Sequence, residues 1–274
     1  MTTLSLKRLA ISAFSLLVIS VSSTAHAQVA IDQNRAMAGN VAPGDTPGFP
    51  VTLSLAGSYK LTSNLVVPAN AKGIQISADG VTLDLNGFSI TGPVTCNHSM
   101  SPPCTAAADA TGHGIEIQGQ RAVIHDGSVR GFAGSGIWTN MPGGTVVHDV
   151  LLAHNSGHGI HIASIGGSFS AAGTKITRVV AVQNGGSGVA VAGGATATFI
   201  IDDSTASANG LTGFSLGGGH GVVTNCVAEE NSHYGLVGDL FTLLRGSRLL
   251  NNAFGEFSGV LKSGGGNLAG NTLF

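Results

Sequence analysis

The feature of this sequence that most constrains its fold is an asparagine followed four residues later by a glycine. The pair occurs five times at this interval, and two further glycines extend the same column toward the N-terminus. The asparagines are Asn155, Asn184, Asn209, Asn231 and Asn251, and the column glycines are Gly114, Gly136, Gly159, Gly188, Gly213, Gly235 and Gly255. Successive glycines are separated by 22, 23, 29, 25, 22 and 20 residues. Such self-similarity is the signature of a repeat architecture.

The segments that precede the asparagines favour strands over helices. They are rich in β-branched and small residues, lack proline and show no apolar period of 3.6 residues, as in "TKITRVVAVQN" and "GVVTNCVAEEN". The 42 glycines of the chain would also destabilise helices. Short strands between Gly/Asn turns therefore predict an all-β fold. We expect a single parallel β-helix of roughly nine to ten turns, with successive turns stacked about 4.8 Å apart.

Equivalent positions of successive turns should form columns inside and outside such a coil. The residue after each column glycine is apolar, which predicts an interior stack of Ile115, Ile137, Ile160, Val189, Phe214 and Leu236. A second interior column is expected to hold Val150, Val179, Ser204 and Cys226. The repeated asparagines are expected to form an amide ladder at one corner, because their side chains both donate and accept hydrogen bonds.

The first 27 residues have the pattern of a secretory signal peptide. Lys7 and Arg8 precede a short apolar run, and "AHA" ending at Ala27 fits a cleavage site. The run is short for a membrane helix, and no later segment reaches the required length of about 20 apolar residues. The sequence therefore predicts a secreted or periplasmic protein with a signal peptide at 1–27 and no membrane span.

The composition narrows the classes of partner. Charged residues make up only 9% of the chain, against about 25% in a typical globular protein. A net charge of −2 provides no basic surface for nucleic acid or anionic lipid. The 43% apolar content argues against disorder. We expect a folded monomer that does not bind nucleic acid.

The chain divides into four predicted segments: the signal peptide 1–27, an N-terminal cap with entry strands at 28–70, the repeats at 71–260, and a C-terminal tail at 261–274. A loop at 94–111 interrupts the repeats. Cys96 and Cys104 bracket a polar, proline-containing stretch of this loop, and in an oxidising compartment they are expected to form a disulfide. Cys226 is left as a buried thiol. The tail is expected to be either a final thin turn or a loose end.

Three segments carry a family resemblance: "PGFPVTLSLAGSYKLTSNLVVP" at 47–68, "GIQISADGVTLDLNGFSITG" at 73–92, and "VTNCVAEENSHYGL". They resemble exported bacterial right-handed parallel β-helix repeat proteins of the pectate-lyase-like superfamily, over residues 45–260. The resemblance implies a right-handed coil, which agrees with the crossover rule for parallel strands. It leaves the activity open, because the superfamily includes lyases, hydrolases, epimerases and adhesins.

The first candidate site is a stripe beside the glycine column. Its outward-pointing positions include Glu116, Trp138 and His161, and the positions before the glycines include His113 and His158. A tryptophan flanked by polar side chains is a suitable platform for a sugar ring. These five residues are therefore the predicted ligand-binding set. The alternative is that a loop, either the disulfide loop or 163–173, folds over Trp138.

The second candidate site is a charged corner. One column is predicted to hold Asp126, Asp149, Arg178, Asp203, Asn225 and Arg245, with His125 and His148 beside it. The arrangement suits either a salt-bridge ladder or a site that binds a cation or acts on a sugar. Under the resemblance, Asp126 and Asp149 would be acidic ligands, and either Arg130 or Arg178 would be the base. No metal or cofactor is expected otherwise, and Ca²⁺ belongs only to this lyase alternative.

The sequence supports no hydrolase role. Polygalacturonase-like members carry N-T-D and R-I-K motifs that are missing here, and "GHG" occurs three times in a glycine-rich chain. The expected function is an exported protein whose long face binds polysaccharide or cell-envelope glycan, without evident catalysis. The alternative is a polysaccharide lyase or epimerase acting on uronate-containing glycans. A purely structural surface module is the third possibility.

Overall fold

The computed structural model describes residues 28–97, 103, 104, 106, 111–140, 143–163, 173–192 and 197–274. The predicted signal peptide lies outside these residues. In the described part the chain forms strands and one short helix, α1 (Gln33–Ala38), in which the Asp32 side chain accepts a hydrogen bond from the Arg35 amide. No helix among the described residues is long and apolar enough to cross a membrane.

The strands fall into two sheets. The smaller sheet contains β2 (Val51–Leu53), β5 (Ile74–Ile76), β8 (Ile115–Ile117), β10 (Ile137–Thr139), β12 (Ile160–Ala163), β15 (Val189–Ala192), β18 (Phe214–Gly217), β21 (Tyr234–Gly238) and β24 (Gly255–Gly259). The larger sheet contains β1 (Val29–Ile31), β3 (Gly57–Leu61), β4 (Leu65–Val66), β6 (Val81–Asp84), β7 (Ser89–Thr91), β9 (Val123–Arg130), β11 (Val146–Ala153), β13 (Thr174–Thr177), β14 (Val180–Val182), β16 (Thr198–Asp202), β17 (Thr205–Ser207), β19 (His220–Thr224), β20 (Val227–Glu229), β22 (Thr242–Arg245), β23 (Arg248–Leu250), β25 (Lys262–Ser263), β26 (Leu268–Ala269) and β27 (Thr272–Leu273).

These strands wind into a right-handed parallel β-helix, which confirms the predicted fold class. Each strand of the smaller sheet pairs in parallel with the strand one turn before and one turn after it, as β10 does with β8 and β12. The coil has about eight turns, slightly fewer than the nine to ten expected. In the C-terminal tail, β25 and β26 continue the larger sheet and β27 turns back antiparallel to β26, so the tail is a final thin turn.

Both predicted interior columns are present. The stack from Ile115 to Leu236 follows the strand register of the smaller sheet, and every member is at most 1% exposed. In the second column the Ser204 hydroxyl accepts a hydrogen bond from the Val179 amide at 3.2 Å, which explains a serine in the core. Cys226 is buried in this column, and burial raises the pKa of its thiol to about 12.

Each turn bends at two corners where the backbone enters the left-handed region, with φ between +48° and +76°. The first corner column is Asp126, Asp149, Arg178, Asp203, Asn225 and Gly246, and the second is Gly131, His154, Gln183, Ala208, Glu230 and Asn251. Residues other than glycine adopt this conformation because backbone hydrogen bonds to the next turn hold the corner. One example is the bond from the Gln183 amide to the Ser207 carbonyl at 3.1 Å.

The predicted amide ladder follows the second corner. Its members are Asn155, Asn184, Asn209, Asn231 and Asn252. The Nδ2 of each of the first four donates to the Oδ1 of the next asparagine at 2.9 to 3.0 Å, and the Nδ2 of all five donates to a backbone carbonyl of the preceding turn. Every member is at most 8% exposed, so the ladder satisfies buried polar groups along five turns.

The last turn corrects the prediction by one residue. Asn252, rather than Asn251, stands in the ladder, and Glu256, rather than Gly255, follows it by four residues. Asn251 occupies the left-handed corner, which the sequence pattern could not separate from the ladder because two asparagines are adjacent. The Glu256 carboxylate accepts hydrogen bonds from Asn252 Nδ2 at 2.7 Å and from the Asn251 amide at 3.0 Å, and thereby ends the ladder.

The predicted disulfide between Cys96 and Cys104 is formed. Its sulfur atoms lie 3.4 Å from the His154 carbonyl oxygen and 3.0 Å from the Gln183 carbonyl oxygen. The described part of the loop therefore packs against the second corner. The other loop residues expected to be able to cover Trp138, at 98–102, 105, 107–110 and 164–172, lie outside the described part of the chain.

Candidate functional sites

The predicted outward stripe is present on the smaller sheet. Trp138 pairs in register with Glu116 of the preceding turn and His161 of the following turn. Ala190, Ser215 and Val237 continue the column. The three functional side chains therefore project from the same face at successive strand spacings of about 4.8 Å.

Trp138 is only partly exposed, which modifies the expected open platform. Its ring stacks on the imidazole of His113, with the ring centroids 5.3 Å apart and the planes inclined by 12°. One face of the indole is therefore covered by His113, and the ring is held in a fixed orientation. The partly exposed remainder of the ring is the surface that a ligand could contact.

His113 and His158 have equivalent positions before their column glycines. His113 Nδ1 accepts a hydrogen bond from the Ser135 amide at 3.0 Å, and His158 Nδ1 accepts one from the Ser187 amide at 2.9 Å. Because Nδ1 is the acceptor, the neutral imidazole carries its proton on Nε2, which is a donor. Both rings are thus fixed in tautomer and orientation by the next turn of the backbone.

Burial keeps the stripe histidines neutral. Desolvation lowers the pKa of His113, with the nearby Glu116 carboxylate acting in the opposite direction. Desolvation, together with repulsion from His161, lowers the pKa of His158 to about 4. Desolvation also lowers the pKa of His161. All three imidazoles are therefore uncharged at pH 7.

Glu116, predicted to be an outward-facing ligand-binding residue, is buried and bound to neighbouring side chains. It is 5% exposed, and its carboxylate is 2.7 Å from Lys72 Nζ and accepts a hydrogen bond from Gln118 Nε2 at 2.7 Å. Gln118 in turn accepts from Gln75 Nε2 at 3.2 Å. Lys72 was missed, although it precedes Gly73 as His113 precedes Gly114. The ion pair makes the stripe electrically balanced.

The charged corner brings together all three residues proposed for the lyase alternative. Arg178 donates from Nε and Nη2 to the two carboxylate oxygens of Asp149, each at 2.7 Å. The hydrogen bonds from Arg178, and then from His148, hold the pKa of Asp149 well below its usual range. The hydrogen bonds with Asp149 in turn raise the pKa of Arg178. The guanidinium therefore keeps its proton and is unsuited to the role of base.

Arg245 does not stand in the corner column as expected. It pairs in register with Thr224, which places it in the neighbouring outward column, and Gly246 takes the corner position. The prediction was wrong because the last corner lies one residue later than the alignment on Gly255 implied.

Two histidines form the centre of the corner site. The rings of His125 and His148 are parallel, with an interplanar angle of 0° and centroids 5.0 Å apart. Each Nδ1 lies close to the carboxylate of the next residue, at 2.9 Å for Asp126 and 2.7 Å for Asp149. These carboxylates orient both imidazoles through Nδ1.

Asp84 is a corner residue that sequence analysis missed. It pairs in register with His125, and its carboxylate is 3.0 Å from Lys60 Nζ. Burial raises the pKa of Asp84, but hydrogen bonds from Lys60 and the Asn86 amide outweigh burial and leave the pKa lowered. A signal for it existed in the register of the strand one turn earlier, "VTLDL".

The corner does not fit calcium. Calcium takes about six to eight oxygen ligands, whereas both oxygens of Asp149 are held by Arg178, and Asp84 is held by Lys60 and the Asn86 amide. Among these carboxylates Asp126 alone has no cationic side-chain partner within salt-bridge distance other than His125. The lyase alternative therefore finds no calcium site in this corner.

A small groove adjoins the corner. Its volume is about 130 Å³, and it is lined by Val146, His148, Lys175, Thr177 and Arg178. Lys175 points to the same side of β13 as Thr177, two residues on. The groove presents two cationic side chains and one imidazole to a small anionic or polar group.

The architecture and its outward polar columns define a parallel β-helix protein with long ligand-accessible faces. The chain belongs to the right-handed β-helix family, since the family model described as "Right handed beta helix region" matches residues 51–222. No curated protein matches the sequence.

Several solved structures are similar in fold. The crystal structure of pectate lyase Pel9A has a TM-score of 0.56 and 14% identity, over 75% of this chain and 56% of that one. The Azotobacter vinelandii mannuronan C-5 epimerase AlgE4 A-module has a TM-score of 0.42 and 17% identity, over 80% and 66% of the two chains. The Dettilon tailspike protein has a TM-score of 0.44 and 15% identity, over 80% and 51%. The chain thus spans a little over half of the pectate lyase, and the likeness shows the fold alone.

Proposed function

We propose that this protein binds polysaccharide or cell-envelope glycan on the outer face of its smaller sheet. The observation that carries the proposal is Trp138, held against His113 on an outward stripe that also contains His158 and His161. A sugar ring presents apolar C–H groups that can pack on the exposed part of the indole. The neutral imidazoles offer hydrogen-bonding groups to its hydroxyls.

The shape of the coil suits a polymer rather than a small ligand. Equivalent outward positions repeat along the axis at about 4.8 Å, from Glu116 through Trp138 to His161. A chain of sugars lying along the axis would contact several turns in succession. The proposal includes export, which the sequence pattern of residues 1–27 supports, and a monomeric state. The pectate lyase likeness agrees with a polysaccharide ligand.

The test is binding by a Trp138→Ala variant. Alanine is compatible with this position because Ala190 occupies the same column. Wild-type protein is screened on a glycan array, and the strongest ligand is measured by calorimetry. We expect the variant to lose at least about tenfold in affinity, equivalent to about 1.4 kcal/mol, because it removes the indole surface on which the sugar would pack.

The matched control is Phe241→Ala, which removes a half-exposed aromatic side chain that contacts the ring of His220 beside the larger sheet. It should bind glycan as the wild type does. Unchanged binding by Trp138→Ala would refute the site, and binding to no glycan would refute the function. In the latter case a structural surface module, for which neither stripe nor corner matters, would be the better description.

The corner supports a second candidate function, a lyase or epimerase acting on uronate-containing glycans. The favouring observation is that Arg178 and Lys175 line the same groove as His148. Arg178 would hold the uronate carboxylate, and Asp149 would orient both Arg178 and His148. An imidazole would accept the proton from the carbon next to that carboxylate. Asp126 would orient His125 in the same way.

Incubation with pectate and with alginate, with and without Ca²⁺, separates this candidate from simple binding. Lyase activity would form unsaturated products and so increase the ultraviolet absorbance of the solution. Epimerase activity would change the uronate composition measured by NMR. Activity that disappears in Arg178→Lys but persists in Trp138→Ala would support the second candidate. Unaltered substrates in every incubation would exclude it.

A further inference from the structure

We propose that His125, His148 and Asp126 bind one transition-metal ion of the zinc class at the first corner of the coil. The site lies on the larger sheet, away from Trp138, and it depends on neither function proposed above. The inference follows from how the two imidazoles are held and from which ligand atoms around them remain available.

The two histidines are aligned by the strand register. His125 and His148 are direct partners in the pairing of β9 with β11, and their rings are parallel at a centroid separation of 5.0 Å. Equivalent atoms of the two rings are therefore one strand spacing apart. The hydrogen bonds of both rings to their neighbouring carboxylates use Nδ1, so the two Nε2 atoms are the candidate metal ligands.

The carboxylates set the imidazoles in the form that binds a metal. An Nδ1–H that donates to a carboxylate leaves the lone pair on Nε2, and metal-binding histidines are commonly oriented by this kind of second partner. Asp149 fills that role for His148 at 2.7 Å, and Asp126 holds His125 at 2.9 Å until it turns from Nδ1 to the ion. Arg178 in turn fixes Asp149, so the second ring has a rigid support.

Asp126 is the carboxylate best placed to join the two rings. Potential ligand atoms of Asp84, His125 and Asp126 lie within 4.8 Å of one another, and so do those of Asp126, His148 and Asp149. Asp126 is the member common to both groups. Asp84 and Asp149 are engaged by Lys60 and Arg178, while the Asp126 side chain is 55% exposed and can turn toward an ion.

The ligand types favour zinc, copper or nickel over calcium. Imidazole nitrogens suit the borderline transition metals, whereas calcium requires an oxygen shell. Two nitrogens bound to one tetrahedral zinc at about 2.0–2.1 Å lie about 3.4 Å apart. The rings, which are 20% and 30% exposed, need to tilt so that their Nε2 edges approach each other by about 1.6 Å.

The experiment is calorimetric titration of the untagged chain with Zn²⁺, together with the visible absorption of bound Co²⁺. The variants are His125→Thr and His148→Thr, because Thr177 and Thr224 occupy the same outward column and show that the backbone accepts threonine there. We expect one ion per chain in the wild type and at least a tenfold loss of affinity in each variant. Asp126→Asn should also weaken binding.

Two control variants match these changes. His220→Thr removes a surface histidine at a position paired with Thr198, and Asp203→Asn alters the same left-handed corner column two turns beyond Asp149. Both should retain the affinity of the wild type, and circular dichroism should show that all variants are folded. Binding that survives in a His125→Thr/His148→Thr double variant, or no stoichiometric binding by the wild type, would overturn the inference.

The test also separates this inference from the glycan proposal. Trp138→Ala should bind Zn²⁺ as tightly as the wild type, and the histidine variants should bind glycan unchanged. A variant that lost both Zn²⁺ binding and glycan binding through misfolding would be recognised by its circular dichroism spectrum. A folded Trp138→Ala protein that no longer bound Zn²⁺ would refute the claim that the metal site is independent of the glycan site.

Discussion

At the scale of the residue, the buried asparagines account for the hydrogen bonds of one corner. Asn209 is fully buried; its Nδ2 donates to the Ala181 carbonyl and to Asn231 Oδ1, and its Oδ1 accepts from the amide and side chain of Asn184, all at 3.0 Å. An unsatisfied buried donor costs about 1–3 kcal/mol. The ladder therefore stabilises the coil by pairing the buried asparagine amides with one another and with backbone carbonyls of the corner.

Two adjacent asparagines provide a test of this account. Asn252→Ala should lower the free energy of unfolding by about 2–3 kcal/mol, because it removes two donated and two accepted hydrogen bonds from a buried position. Asn251→Ala should cost less than about 1 kcal/mol, since Ala208 already occupies the same left-handed column. Urea denaturation measures both. A larger loss of unfolding free energy in Asn251→Ala than in Asn252→Ala would mean that Asn251 is the ladder residue, which would contradict the structure.

The candidate site at residue scale was partly predictable. Trp138, His161 and Glu116 share one column because a strand alternates its side chains, which requires only the glycine alignment. The stacking of His113 on Trp138 was not predictable, because it depends on side-chain rotamers of residues from different turns. The Lys72 partner of Glu116 depends likewise on a contact between turns.

At the scale of the element, the column glycines allow successive turns of the coil to approach each other closely at the start of each strand of the smaller sheet. A Cβ on Gly213 would lie 2.6 Å from the Gly235 carbonyl oxygen and 2.9 Å from the Ala228 Cβ. Both neighbours belong to the next turn and are themselves packed. The recurrence of glycine at this position reflects close approach between turns, because no positive φ is required there.

Glycines at the two ends of one strand test the requirement. Gly213→Ala, just before β18, should destabilise the protein by about 1–3 kcal/mol through overpacking. Gly217→Ala, at the end of β18, should be neutral or slightly stabilising, because its Cβ would be 3.7 Å from the nearest atom, the Val191 carbonyl oxygen. Thermal unfolding of the two variants provides the comparison. Equal melting temperatures would contradict the close-approach explanation.

At the scale of the whole molecule, the coil is a one-dimensional stack in which each turn contacts its neighbours. The N-terminal end is covered by α1 and by β1, which pairs with β3. At the other end Phe257 is 42% exposed and is packed by Phe274 of the thin last turn. Stability in such a stack is roughly a sum of terms for each turn and for each interface between turns.

This organisation predicts a gradient of protection along the axis. Amide hydrogen exchange should be slowest in β12, β15 and β18 and fastest in β24 and β26, because end turns have one neighbour and open locally. Leu216→Ala, at a buried site of β18, should accelerate exchange chiefly in β15 and β21. Uniform acceleration in every turn would show a single cooperative unit instead.

The sequence by itself determined the coil, its two interior columns and the faces on which polar residues lie. It could do so because a repeat places chemically similar residues at one position in every turn, so that local pattern and global packing carry the same information. The tertiary structure decided what no repeat encodes: the one-residue shift at Asn252 and Glu256, the carboxylates that hold Arg178, and the parallel imidazoles of His125 and His148. These features depend on contacts between side chains of different turns, which are close in space only after the coil has formed.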